Sequence, residues 1–202
     1  YQSQVRDIQI KNIEMLSAIA DLKIMQITQW RQEHIQDVLL LANDPALVTN
    51  VREALTAPGS IDLNNEILSA LRMTRRAHNF LNIIICDADG KQLFAALAGS
   101  WPGPDPQTAA MAQKAGRPAW GDLVRDPASG QIYLDIVAPL PCVQTGEAAV
   151  AAVLVVRIDP NESLFPLIKS WPTASQSAET LLVRREGQEI VYLNELRHSK
   201  NT

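Results

Sequence analysis

Residues Val5 to Asn43 hold neither Pro nor Gly, and their apolar positions recur at helical spacing in two sets. Ile8, Met15, Ile19 and Leu22 form one, and Ile10, Ile13, Ile24 and Ile27 the other. The pattern predicts one long helix of about 60 Å at a rise of 1.5 Å per residue. Two apolar faces on one projecting helix need two partners. The protein's own sheet is one, and a twin helix from a second copy is the other. A helix broken near Gln26 to Gln32, where the pattern weakens, is the alternative. Asn43-Asp44-Pro45 ends or sharply bends it, because Pro disfavours helix in the residue before it. Ala46 to Leu55 reads as a short second helix and Ala57-Pro58-Gly59 as a loop. Ser60 or Asp62 caps a third helix, Leu63 to Ala77, with Ile67, Leu68 and Leu71 on its apolar side.

The period then shortens to that of strands. Asn82 to Cys86 is a continuous apolar run, Asp87 to Gly90 a hairpin turn, and Lys91 to Leu97 the returning strand. From Ala98 to Asp126 the chain is rich in Pro, Gly and Ala, with a short helical piece at Gln107 to Lys114. Gln131 to Ala138 alternates, placing Ile132, Leu134 and Ile136 on one side and Tyr133 and Asp135 on the other. Pro139 and Pro141 are expected to stop it. Ala148 to Ile158 is a long apolar strand ending in Asp159-Pro160, followed by a helix from Ser163 to Ser170 with Asn161 as a candidate cap. A last hairpin pairs Thr180 to Arg184 with Gln188 to Leu193 across Glu186-Gly187. A lone hairpin is marginal in water. It must join the first sheet or begin another module, and the linker-like Trp171-Pro172 and Thr173 to Ser177 favour the second. The expected class is α+β: a long N-terminal helix, an antiparallel sheet flanked by helices, and a C-terminal hairpin that starts a second, incomplete module.

Composition narrows the function. The chain has 202 residues, 47% of them hydrophobic, enough for one sizeable domain or two small ones. A formal net charge of -4 gives no basic surface for nucleic acid. No run of about 18 apolar residues is present, so this chain is not expected to span a membrane itself. It opens without Met and without a signal peptide, which reads as a segment of something longer. Cys86 and Cys142 do not make a disulfide framework. They are two free thiols or a single pair, and neither has the neighbours of a zinc site.

Catalytic chemistry finds little support. Asp87-x-Asp89-Gly90 opens like a calcium-binding loop, but Gln92, Phe94 and Ala95 cannot supply its remaining oxygen ligands. Gly99-Ser100-Trp101-Pro102-Gly103 is not a nucleophile elbow. His34, His78 and His198 are scattered, and no glycine-rich nucleotide loop occurs. No enzyme activity, cofactor or metal is expected. What remains is a cluster with recognition character: Trp101, Arg117, Trp120, Asp122, Tyr133 and Asp135. Aromatic walls with an Arg and a carboxylate suit a small polar ligand. The plainer reading is that the two tryptophans anchor a long loop while Tyr133 and Asp135 face solvent.

This arrangement resembles the Cache sensor modules, PAS-like folds found outside the membrane in bacterial histidine kinases, diguanylate cyclases and chemoreceptors. The residues that carry the resemblance are IIICDADGKQLF, DLVRDPASGQIYLDIVAPL, and AAVLVVRIDP leading into a helix. SAETLLVRREGQEIVYLNELRH looks like the opening of the membrane-proximal module of double Cache receptors. The resemblance implies a signalling helix over 1–45, a membrane-distal sensor domain over 46–171, and a linker with the start of the second module over 172–202. It further implies a periplasmic segment of an inner-membrane receptor, with membrane spans and an output domain outside this chain, a homodimer, and a small polar ligand between sheet, insert and long helix. Amino-acid-binding members carry Arg-x-Trp in the insert, followed by a Tyr and an Asp. Here Arg117-Pro118-Ala119-Trp120 departs from that spacing, while Tyr133 and Asp135 lie on a strand of the expected kind.

Overall fold

A computed structural model describes residues 2–56, 59–127, 129–141, 152–172 and 179–194. It divides into two compact units, one of residues 34–160 and the other of residues 1–33 and 161–202, with the boundary inside the first helix.

That helix, α1, runs unbroken from Gln2 to Ala42. The expected weak point holds because 26–32 contains neither Gly nor Pro. Its buried positions, Ile19, Lys23, Trp30, Val38, Leu41 and Ala42, keep helical spacing, and Lys23 and Trp30 are what blur the apolar pattern. Val5, Ile8, Ile10, Ile13, Met15, Leu16, Ile24 and Met25 are exposed instead. No helix among the described residues is long and apolar enough to cross a membrane.

In the larger unit, α2 (Pro45–Thr56) and α3 (Ile61–Ala77) follow. Ser60 caps α3 by accepting from the Leu63 N–H, so the cap is Ser60 and Asp62 lies in the first turn. Five strands then form one antiparallel sheet: β1 (Asn82–Asp87), β2 (Gln92–Ala95), β3 (Ala119–Arg125), β4 (Ile132–Leu140) and β5 (Ala152–Ile158). Their spatial order is β2-β1-β5-β4-β3. The helix α4 (Pro106–Ala115) lies between β2 and β3 in sequence.

Two expectations are corrected here. The stretch from Ala98 to Asp126 is more than loop and helix, because it contains the edge strand β3. A bulge between Trp120 and Leu123 breaks its alternation, which hides a strand from a period-two reading. Pro139 does not stop β4; it pairs with Val153 of β5. The β3 ladder ends at Val137, so Pro139 stands where β4 has lost one neighbour and a missing N–H is tolerated.

Alternation along the central strands sorts the core into two layers. Ile83, Ile85, Leu154, Val156 and Ile136 are fully buried on the side of α3, which packs on β1 and β2. Ile84, Cys86, Val137, Val153 and Val155 lie on the other side, with Ala109 and Ala112 of α4 and Trp101.

The smaller unit holds the first part of α1, α5 (Leu164–Lys169) and a separate hairpin, β6 (Val183–Glu186) with β7 (Glu189–Tyr192). Lys23 is buried, and its ammonium donates to the Leu167 carbonyl at 2.7 Å and to Ser170 Oγ at 2.8 Å, joining α1 to α5. Residues Cys142, 148–151 and 173–177 lie outside the described residues, so the Cys142 pairing, the start of the long strand and the linker do as well.

Candidate ligand-binding site

The site starts from one charge in an apolar strand. β5 reads AVLVVRI, and Arg157 is its only ionisable residue. A guanidinium in a central strand must find a counter-charge or disrupt the core. Register supplies one, because Arg157 stands directly across from Asp135 of β4. Nε donates to Oδ1 at 2.8 Å and Nη2 to Oδ2 at 2.7 Å, a bidentate pair with the Arg157 side chain 1% exposed. Nη2 also donates to the Pro102 carbonyl at 3.2 Å. The Tyr133 ring lies under the guanidinium, 3.8 Å from its carbon to the ring centroid.

Three elements hold this pair in place. Gly121, in the β3 bulge, lets the edge strand lie against Asp135: a Cβ there would sit 3.3 Å from the Asp135 carbonyl oxygen. The segment 99–101 is tied to β2 through Gln92, whose amide donates to the Gly99 carbonyl and accepts from the Trp101 N–H. Gly103 passes so close to the β1–β2 turn that a Cβ would stand 2.3 Å from the Gly90 carbonyl oxygen.

Between these elements lies a cavity of about 270 Å³, walled by Trp101, Tyr133, Arg157, Gln131, Ser129 and Asp126, together with Ala98, Gly99, Ser100 and Pro102. Asp126 and Ser129 belong to the β3–β4 turn, where the Asp126 carboxylate accepts the Ser129 N–H and O–H. Three donors on this face lack an acceptor among the described residues: Arg157 Nη1, Trp101 Nε1 and Asn82 Nδ2. The Asn82 amide is oriented by its oxygen, which accepts from its own neighbour's N–H and from Leu97 N–H. Each such buried donor costs about 1–3 kcal/mol until it is met.

Burial raises the Asp135 carboxyl above its usual range, and the Arg157 hydrogen bonds pull it back only in part. Burial alone would lower the Arg157 guanidinium, but Asp135 outweighs it and the net direction is up. Burial also raises Tyr133, against the pull of Arg157. Cys86, a buried free thiol on the same sheet face, is pushed up to about 11, chiefly by burial, so it is a core residue with little thiolate.

Of the six residues named from sequence, Trp101 and Tyr133 line the cavity, and Asp135 lies beneath it, closed on Arg157. Arg117 and Asp122 are exposed and do not line it. Trp120 pairs with Ile136, on the opposite face of the sheet, and its ring lies 6.4 Å from that of His34. Sequence reasoning missed Arg157. The available signal was its charge, alone in an apolar run, which demands a partner. Among the described residues no cluster of His, Cys, Asp and Glu could hold a metal ion.

No protein-family model matches the chain, and no curated protein matches its sequence. Solved structures do match its fold. The V. cholerae histidine kinase DctB sensor domain superposes with a TM-score of 0.57 at 16% identity, covering 87% of this chain and 62% of that one. The ligand-binding domain of the Campylobacter jejuni chemoreceptor Tlp3, in complex with L-norvaline, gives 0.54 at 15%, covering 76% and 60%. That of the Pseudomonas aeruginosa PAO1 amino acid chemoreceptor PctC, in complex with GABA, gives 0.54 at 20%, covering 78% and 64%. The chain thus spans less than two thirds of the length of each. With its α+β architecture and five-stranded antiparallel sheet, it has the fold of Cache-type sensor domains.

Proposed function

We propose that this chain is the extracytoplasmic, periplasmic sensor segment of a bacterial transmembrane receptor, and that it binds a small polar ligand without catalysing a reaction. The observation that carries this reading is the walled cavity over Tyr133 and Arg157, in a fold shared with sensor and ligand-binding domains. Residues 46–171 form the ligand-binding module, 1–45 the signalling helix, and 172–202 the linker and start of a membrane-proximal module. Ligand binding repositions α1 against its twin in a homodimer, and the movement reaches membrane spans outside this chain. The ligand must bind the two arrangements unequally for this to work.

A panel of amino acids, carboxylates, amines, amides and polyols tests the reading by thermal shift. A ligand at a hundred times its Kd adds about 2.7 kcal/mol, on the order of 5 to 10 °C for a chain of this size. The shift should saturate and vanish in Tyr133→Ala. A flat response across the panel overturns ligand sensing. The exposed apolar residues of α1 favour a second reading, a dimerisation module with no small ligand. It predicts a dimer by light scattering together with that flat response.

A further inference from the structure

We infer that Asp135, Tyr133, Trp101 and the Pro102 carbonyl form a guanidinium-binding site that the chain fills with its own Arg157, and that removing this side chain opens the site to free guanidinium cations. The inference goes beyond the ligand-sensing reading and stands whether or not the cavity takes a ligand of its own.

The first observation is what surrounds the guanidinium. Asp135 takes its Nε–Nη2 edge with both carboxylate oxygens, at 2.8 and 2.7 Å. The Pro102 carbonyl accepts a second bond from Nη2 at 3.2 Å. The Tyr133 ring lies 3.8 Å from the guanidinium carbon and the Trp101 ring 6.0 Å from it. A forked carboxylate, two aromatic rings and a carbonyl are what selects a planar cation over other molecules. They come from β4 and from the 98–105 segment, and β5 supplies only the cation. An ion pair that served stability alone could be replaced by two apolar side chains. It would not need this set of groups turned on one side chain.

The second observation is where the pair lies. Arg157 is part of the wall of the cavity of about 270 Å³, as are Tyr133, Trp101 and Pro102. Truncating Arg157 joins the space it fills to that cavity, so a small cation can enter and reach Asp135. With Arg157 in place the carboxylate is closed. A free cation must lose its translational freedom to bind, whereas Arg157 is already attached. A tethered group also competes at an effective concentration at least on the order of millimolar. Arg157 thus keeps amines and guanidines that enter the cavity away from Asp135.

Ethylguanidinium is the part of the side chain that Arg157→Ala removes, and ethylurea has its shape without its charge. Added to the whole chain carrying Arg157→Ala, ethylguanidinium at ten times its Kd should raise the melting temperature by about 3 °C or more. The rise should saturate. Ethylurea should give none, and neither should ethylguanidinium on the double variant Asp135→Asn with Arg157→Ala. No saturable rise in Arg157→Ala, or an equal rise with ethylurea, overturns the inference. So does a saturable rise in the unaltered chain that moves the Arg157 Nε resonance, because Asp135 would then be open to free cations. If Arg157→Ala does not fold alone, it is refolded with each compound. Folded protein recovered with ethylguanidinium and not with ethylurea supports the inference, and recovery with both or with neither overturns it. Ligand sensing is decided separately, by the panel on the unaltered chain.

Discussion

The two faces of the central sheet are built from the same strands and do different work. On β5, Leu154, Val156 and Ile158 point to the helix side, and Val153, Val155 and Arg157 to the side of α4 and the 98–105 segment. The helix side is aliphatic throughout its buried centre, with Ile83, Ile85, Ile136, Leu154 and Val156 fully buried. The other side is aliphatic only under α4. At its far end it turns polar, with Asn82, Asp135 and Arg157 buried beside Tyr133. Because side chains alternate at period two, one strand can anchor the fold with one set of residues and hold a polar pair with the other. Stability on the first face comes from apolar burial. On the second it depends on every charge finding its partner.

That contrast can be broken most directly at Arg157. Arg157→Ala leaves Asp135 buried and uncompensated, which should cost about 3–5 kcal/mol. Leu154→Ala, three residues earlier on the opposite face, should cost about 2–5 kcal/mol through lost burial and a cavity. Urea denaturation would show the two losses to be similar in size. They differ in rescue. The double substitution Asp135→Leu with Arg157→Met should recover most of the first, because a pair of apolar groups carries no unpaired charge. No second polar substitution should recover the second. A double variant as unstable as Arg157→Ala alone would show that the polar face depends on more than its ion pair.

The same contrast explains what could be read from sequence. The helix-side layer was legible because Leu134, Ile136 and the apolar runs of β1 and β5 follow simple periods. Tyr133 and Asp135 were assigned to the opposite face by that same alternation. Arg157 was not, because its partner is 22 residues away and only the β4–β5 register joins them. Trp120 reads like a cavity residue, near Arg117 and Asp122 in sequence. Its pairing with Ile136, ahead of the bulge, puts it on the helix side. Bulge and register are tertiary facts, carried by no local pattern.

A smaller effect sharpens the role of the segment over the polar face. Gly103→Ala places a Cβ 2.3 Å from the Gly90 carbonyl oxygen, a backbone atom that cannot rotate away. The expected cost is about 1–3 kcal/mol. The shift should also carry Pro102, whose carbonyl accepts from Arg157, away from the guanidinium. Arg157 side-chain resonances should therefore move in NMR spectra, while the methyl groups of Ile83 and Leu154 on the other face stay in place. Movement of both sets alike would mean that the two faces are mechanically coupled.

The smallest effect belongs to the cap of α4, the helix that covers this face. Asp105 accepts the Thr108 N–H at 2.9 Å and the Thr108 hydroxyl at 2.8 Å. Those bonds, the backbone one foremost, hold its carboxyl below the usual value of 3.8. Asp105→Ala should cost about 1 kcal/mol at neutral pH, and Asp105→Asn a few tenths, since Asn caps almost as well. The sign of the pH dependence follows from the lowered value. The carboxylate's contribution is complete above its unfolded pKa and disappears as pH falls through the folded one. Melting curves of the parent and Asp105→Ala should therefore converge on acidification below about pH 4, while the uncharged Asn cap keeps its contribution. Because α4 packs on the face opposite α3, hydrogen exchange in Asp105→Ala should quicken for the α4 amides and leave those of α3 unchanged. Equal quickening in both helices would show that the sheet passes stability between its faces, and that the polar layer cannot loosen without the apolar one.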